Sequence, residues 1–265
     1  MQVNRERRGM WAPRFAFDQA ESLDESDDDT LRPVTAHGML KGAAVVGLAA
    51  GAVFVVVPGL DLAVARLFYV GDGRFLGSEL SLIPLVRTGF NIFFYSMSAL
   101  TVVGLVMAAR TTRPWLELNF RKWLFIALCL IAGPLVVANI GFKDHWGRAR
   151  PRDVVEFDGS KAFSAPFPPS GQCDYNCSFV SGEASSIFIL MFALALLSKS
   201  RSRNFVATGI VLGGLCGLVR MANGAHFLSD VVFAGVLMAA TAAATKLLFE
   251  TLEAGHARTA DPATA

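Results

Sequence analysis

Six apolar stretches, each close to the length that crosses a bilayer, dominate this 265-residue chain. They run roughly over residues 39–58, 89–109, 123–142, 184–198, 204–222 and 229–249. A bilayer core takes about 20 apolar residues per helix, and backbone inside it must satisfy its own hydrogen bonds. The pattern therefore predicts an all-α, polytopic membrane protein with six transmembrane helices. The fourth stretch is short, but its serine-rich start extends it. Composition agrees: 53% of residues are hydrophobic and only 17% are charged, whereas soluble domains sit near about 25% charged. A formal net charge of +2 argues against a nucleic-acid partner, which needs a strongly basic surface. The partners expected are the lipid bilayer and its lipids.

Charge divides the loops into two sets. Arg110, Arg113, Arg121 and Lys122 lie between the second and third stretches; Lys199, Arg201 and Arg203 lie between the fourth and fifth. Cytoplasmic loops collect lysine and arginine, and with six spans these loops and both termini share that side. Loops 143–183 and 223–228 then share the outer, periplasmic face. The basic residues of the first break the rule, which implies another purpose. The organisation expected is a disordered cytoplasmic tail over 1–37, a membrane domain over 38–250, and a flexible tail over 251–265. The N-terminal tail carries the acidic run Glu21 to Asp29 and has too little apolar surface to offset ordering. No apolar core follows a basic N-terminus as in a cleavable leader. After Pro58, "GLDLAVARLFY" reads either as an amphipathic interfacial segment, with Phe68 and Tyr69 at headgroup depth, or as a simple connector. Cys129 and Cys216 fall in apolar runs as core residues, while Cys173 and Cys177 share the outer loop and are able to pair in an oxidising compartment.

Chemistry collects on the outer face. Lys143 follows the third stretch and Arg150 comes seven residues later; Ser181-Gly182-Glu183 opens the fourth. Arg220 closes the fifth, and His226 and Asp230 begin the sixth. Three cations suit a doubly charged phosphate, and guanidinium forks bind its oxygens in pairs. Ser181 and Gly182 at a helix start offer a hydroxyl and free backbone N–H groups to an anion. His226 and Asp230, four apart, share a helix face, and an acid accepting from one imidazole nitrogen leaves the other as nucleophile or base. Each piece alone has a plainer use as a snorkelling cation, a helix cap or a structural hydrogen bond. Their conjunction on one face is what those uses leave unexplained. A second Ser-Gly, Ser170-Gly171, has no helix after it and reads as a turn.

Taken in order, Lys143-x6-Arg150-Pro151, Ser181-Gly182 and Arg220-x5-His226-x3-Asp230 resemble the three-part signature of type 2 phosphatidic acid phosphatases, a superfamily that includes bacterial lipid phosphatases. The resemblance implies that His226 is the nucleophile of a phosphohistidine intermediate and that Asp230 orients it. It implies that Lys143, Arg150, Arg220, Ser181 and the Gly182 amide hold phosphate oxygens and stabilise a pentacoordinate transition state. No metal or other cofactor is implied. Two positions depart from the pattern. Val219 stands where Gly or Ser commonly precedes the arginine, and Glu183 stands where a histidine protonates the leaving oxygen. Glu183 is the candidate for that task, which asks for a pKa of about 6–7. His145 is the other candidate acid, and a substrate amine or hydroxyl is the other candidate partner for Glu183.

The activity expected is hydrolysis of a lipid phosphate monoester or diphosphate at the outer face of a bacterial cytoplasmic (inner) membrane. The long loop 152–180 favours a bulky glycolipid such as lipid A. Undecaprenyl diphosphate, phosphatidylglycerophosphate and phosphatidic acid are alternatives, as are phosphotransfer to a lipid acceptor and a non-catalytic lipid-binding protein.

Overall fold

A computed structural model of the chain describes residues 32–111 and 114–259, with 253–259 described by backbone alone. Most of the tail expected over 1–37 lies outside these residues, as do 260–265. Thr35 caps helix α1 (Ala36–Val56) by accepting from the Gly38 N–H at 3.0 Å. The flank of α1 is bare apolar surface: Val45, Leu48 and Val56 are 67%, 77% and 77% exposed. That is the surface a bilayer covers.

The segment after Pro58 is the short helix α2 (Gly59–Arg66), then a hairpin of β1 (Tyr69–Gly71) and β2 (Arg74–Phe75), then the single turn α3 (Leu76–Glu79). The helix ends before Phe68, and Tyr69 instead opens the hairpin, where its ring packs on Phe75 and Phe157. Helix α4 (Leu82–Arg110) is 29 residues long. Helix α5 (Phe120–Leu130) runs without a break into a π-helical stretch, Ile131–Lys143. Pro134 lies inside that stretch. Proline cannot donate the usual i→i−4 bond, and the wider i→i+5 turn accommodates it.

Helices α6 (Gly182–Leu197), α7 (Ser202–Ala222) and α8 (Leu228–Thr259) complete the chain. α8 therefore runs as helix through 251–259. Among the described residues, five helices are long and apolar enough to cross a membrane. The fourth expected span is α6, which has only 16 residues. At 1.5 Å per residue that is about 24 Å, short of the roughly 30 Å hydrocarbon core. Burial explains how so short a helix serves: α6 is the axis of the bundle, packed on α5, α7 and α8. Close approach is bought with glycine, and a methyl on Gly213 of α7 would stand 2.6 Å from the Phe188 ring of α6.

Candidate active site

Backbone hydrogen bonds stitch the three sequence motifs together at one end of the bundle. The Cys177 N–H donates to the Lys143 carbonyl at 3.0 Å and the Ser178 N–H to the Arg148 carbonyl at 2.8 Å. The Ser181 N–H donates to the Asp230 carbonyl at 3.2 Å, and Arg152 N–H to the Gly224 carbonyl at 3.0 Å. Lys143, Arg150, Ser181, Gly182, Glu183, Arg220, His226 and Asp230 are thereby gathered around one spot. Gly147 makes the turn between Lys143 and Arg150 possible. Its φ of +68° is left-handed, and a side chain there would collide with the Ser170 carbonyl. Ser170 itself serves this turn, donating from Oγ to the Gly147 carbonyl at 2.7 Å. The first Ser-Gly is structural, as its lack of a helix suggested.

His226 is 1% exposed, and its Nδ1 lies 2.7 Å from the Ser178 carbonyl. A carbonyl only accepts, so Nδ1 carries the hydrogen and Nε2 is left with a lone pair. Asp230 was expected to accept that hydrogen, but its Oδ2 stands 3.6 Å from Nδ1. The carboxylate is occupied elsewhere: it accepts from the Ser178 hydroxyl, from the Phe227 N–H at 2.8 Å and from Arg148 Nη1 at 2.6 Å. Asp230 thus fixes Ser178, and the Ser178 carbonyl fixes the imidazole. Burial pushes the His226 pKa down to about 4, and the cations Arg220 and Lys143 push the same way. At neutral pH the ring is uncharged and nucleophilic.

Opposite the ring lies a wall of donors. Arg150 is held by the Asn176 carbonyl, 2.6 Å from Nη2, and by the Asn176 amide oxygen at 2.9 Å. Lys143 Nζ reaches the same amide oxygen at 3.3 Å. Ser181 begins α6, yet its hydroxyl makes no bond to its own helix and is buried without a partner; Arg220 Nε is buried without one too. Gly182 leaves room beside them, since a methyl there would stand 3.3 Å from Lys143 Nζ. A small anion carrying several acceptor oxygens matches these donors.

The family follows from comparison with known proteins. Residues 122–253 match the PAP2 superfamily model. A lipid A 4'-phosphatase of Francisella tularensis subsp. novicida is 41% identical over 192 residues, covering 70% of this chain and 84% of that protein. Proteins of the same name from Rhizobium leguminosarum and Rhizobium etli are 33% and 31% identical, each over 68% of this chain. The chain belongs to the PAP2 superfamily. It is therefore a phosphatase of phosphoric monoesters, carried on apolar helices of membrane-crossing length. No solved structure matches this PAP2 chain.

Three residues of this PAP2 site were not legible in its motifs. Arg148, 1% exposed, bridges two carboxylates, Asp230 at 2.6 Å and Asp61 at 2.8 Å. Asp61 comes from α2 and also accepts from the Ser229 N–H at 2.9 Å and the Ser229 hydroxyl at 2.6 Å. Burial raises the Asp61 pKa above the ordinary carboxylate value, with Arg148 pulling it back. The third is Arg87 on α4, whose Nε and Nη2 fork onto Glu183 at 3.1 and 2.7 Å. Arg220 Nη1 is 3.5 Å from the same carboxylate. Glu183 is thus held between two guanidinium groups. His145 is exposed, and its Nδ1 turns back to the Ile140 carbonyl at 2.7 Å.

Proposed function

We propose that this enzyme removes a phosphate monoester from an acylated glycolipid of the lipid A type, through a phosphohistidine on His226 Nε2. The observation that carries the mechanism is the tautomer: the Ser178 carbonyl takes the Nδ1 hydrogen, so the free lone pair belongs to Nε2. The substrate class rests on the relatives named lipid A 4'-phosphatase. Lys143, Arg150, Arg220, the Ser181 hydroxyl and the Gly182 amide hold the phosphate oxygens and stabilise the charge that builds as Nε2 attacks phosphorus. Asp230 acts through Ser178 to hold the ring. Glu183 handles the proton. Ion-paired to Arg87 and Arg220, Glu183 starts as a carboxylate. It takes the proton that the phosphate brings as a monoanion and passes it to the leaving sugar oxygen. It then takes one from the water that cleaves the phosphohistidine and returns it to the released phosphate.

The membrane arrangement belongs to the same proposal. Residues 38–250 form a six-span domain in a bacterial inner membrane, α6 being the short span, with both termini cytoplasmic and the site periplasmic. The disulfide Cys173–Cys177 in the catalytic loop supports an oxidising face, and Lys199, Arg201 and Arg203 support a cytoplasmic α6–α7 loop. The deciding assay is phosphate release from a panel of lipid phosphates, with His226→Gln as control. Turnover by that variant would sink the mechanism, and turnover of phosphatidic acid alone would sink the substrate class. For sidedness, Val155→Cys should react with an impermeant maleimide from outside intact cells and Lys199→Cys should not; the reverse would invert the topology.

A further inference from the structure

Three helices that reach the phosphate position with one end, α5 with its π-helical stretch, α6 and α8, reach a second cavity farther along. It has a volume of about 780 Å³ and is lined by the starts of α1 and α5, the end of α6 and part of α8. The 16 residues of α6 separate it from the phosphate cradle, about 24 Å at 1.5 Å each. Whatever it holds is not the phosphate under attack by His226. The apolar run of α6 stops here at Leu197 and the polar chain Ser198 to Arg203 follows, so the cavity lies at headgroup depth.

The floor is aromatic: Phe125, 2% exposed, meets Phe249 edge to face with 5.8 Å between ring centres. The rim is cationic, with Arg121, Lys122 and Lys199, and Lys246 Nζ 6.0 Å from the centre of the Phe125 ring. Against these four cations the lining carries one carboxylate, Glu250, 3.6 Å from Lys246. Among the described residues no carboxylate pairs with Lys122 or Lys199. Membrane orientation alone accounts for cations in the loops. It does not account for Lys246, which lies inside the sixth apolar stretch, where a charge is costly and functional by default. Val34 lines this cavity and also an apolar groove of about 700 Å³ along α1, α7 and α8. Gly42 and Gly214 keep that groove open, since a methyl on either would touch nothing within 4 Å.

We propose that this cavity is a second lipid site, which binds a phospholipid with an anionic phosphodiester headgroup. Lys122, Lys199 and Lys246 hold the phosphate, the aromatic floor takes the glycerol carbons, and an acyl chain lies in the groove beyond Val34. Basic pockets between membrane helices hold anionic headgroups in this way. A free anion would use the rim and leave the floor and groove empty, whereas an amphiphile uses all three. A phosphodiester is not the monoester that this enzyme cleaves, so the ligand survives beside the active enzyme. Bound there, it ties the start of α1 to α5 and α8 and stabilises the end of the bundle that the substrate does not touch. The proposal is independent of which lipid the active site hydrolyses.

The test is the unfolding temperature of the full chain in detergent, with orthovanadate present so that the phosphate site is already filled. Three additives are compared: phosphatidylglycerol, phosphatidylcholine, and glycerophosphoglycerol, which is the first headgroup without its chains. Phosphatidylglycerol should raise the unfolding temperature and the other two should not. The rise should shrink as added salt screens the contact. Lys122→Gln and Lys246→Gln should each weaken the apparent affinity for phosphatidylglycerol by about 10-fold, the worth of one charge-assisted hydrogen bond. Protection by orthovanadate itself should stay as in wild type, which separates a lost lipid site from a misfolded variant. If a variant loses that protection too, the lipid and salt series on the wild-type enzyme decide. Equal stabilisation by phosphatidylcholine or by glycerophosphoglycerol, a rise indifferent to salt, or a rise that survives both substitutions overturns the proposal.

Discussion

Two walls meet at His226, and they are built on opposite terms. On the Arg148 side every charged group is paired. Arg148, Asp61 and Asp230 are at most 1% exposed, and Ser229 donates to Asp61 from both backbone and hydroxyl. Across the site, the Ser181 hydroxyl and Arg220 Nε are buried with no partner. Buried polar groups are nearly always bonded, so two orphans in one place mark where a ligand goes. A complete polar network rigidifies, whereas an incomplete one costs stability until its missing member arrives. The paired wall therefore holds the imidazole still, and in the mechanism proposed above the orphaned wall is the one that takes the phosphate.

The largest effect should come from the residue between them. His226→Gln removes the Nε2 lone pair, and phosphate release should fall by about 10⁴-fold or more. Next is Glu183→Gln on the open wall, which keeps the shape but cannot exchange a proton. Its kcat should drop by about 10²–10⁴-fold, and a change in KM alone would mean that Glu183 only binds substrate. On the paired wall, Arg148→Met leaves Asp61 and Asp230 uncompensated. Breaking a buried pair from one side costs about 3–5 kcal/mol, read as a lower unfolding temperature in detergent. Unchanged stability there would erase the contrast between the walls.

The open wall was the more legible of the two in the sequence. Lys143, Arg150, Ser181 and Arg220 announce themselves by residue type, spacing and position at span ends, as does His226 between the walls. Of the paired wall only Asp230 was legible, by its spacing from His226, and the rest hides for physical reasons. Asp61 meets Ser229 across 168 positions of chain, and no local pattern reports such a contact. The acceptor that sets the His226 tautomer is a backbone carbonyl, which any residue would supply. Arg148 left one trace, as an extra cation in an outer loop that should carry few. Arg87 lies just outside the stretch first read as a span, where α4 in fact begins seven residues sooner, at Leu82 rather than 89. The π-helix left only Pro134 inside an apolar run, and proline there is as readily read as a kink.

Acid should separate the folded from the unfolded chain at His226. His226 has its pKa lowered to about 4 from 6.5. The unfolded chain takes up a proton near pH 6.5 that the folded chain refuses until about pH 4. Stability therefore declines as pH falls through that window and is indifferent to His226 above it. Catalysis follows the folded value, so the acid limb of kcat/KM should lie near pH 4 rather than near 6.5. A limb near 6.5 would mean that the imidazole is far better solvated than its burial implies.

The smallest effects discriminate best, because their signs differ. Ser229→Ala on the paired wall deletes a hydroxyl whose partners stay buried, and it should destabilise the free enzyme by about 1–3 kcal/mol. Ser181→Ala on the open wall deletes a hydroxyl that has no partner to lose. Its burial penalty disappears with it, so the free enzyme should be unchanged or more stable by up to about 1 kcal/mol. Ligand reverses the ranking. Orthovanadate at about 100 times its Kd should stabilise the wild-type enzyme by about 2.7 kcal/mol. At the same concentration Ser181→Ala should be protected less, by about 1 kcal/mol for the missing bond. Four melting curves, each variant with and without vanadate, carry the test against wild type. If both serines destabilise alike without ligand, the Ser181 hydroxyl has a partner in the resting enzyme and the open wall is not open.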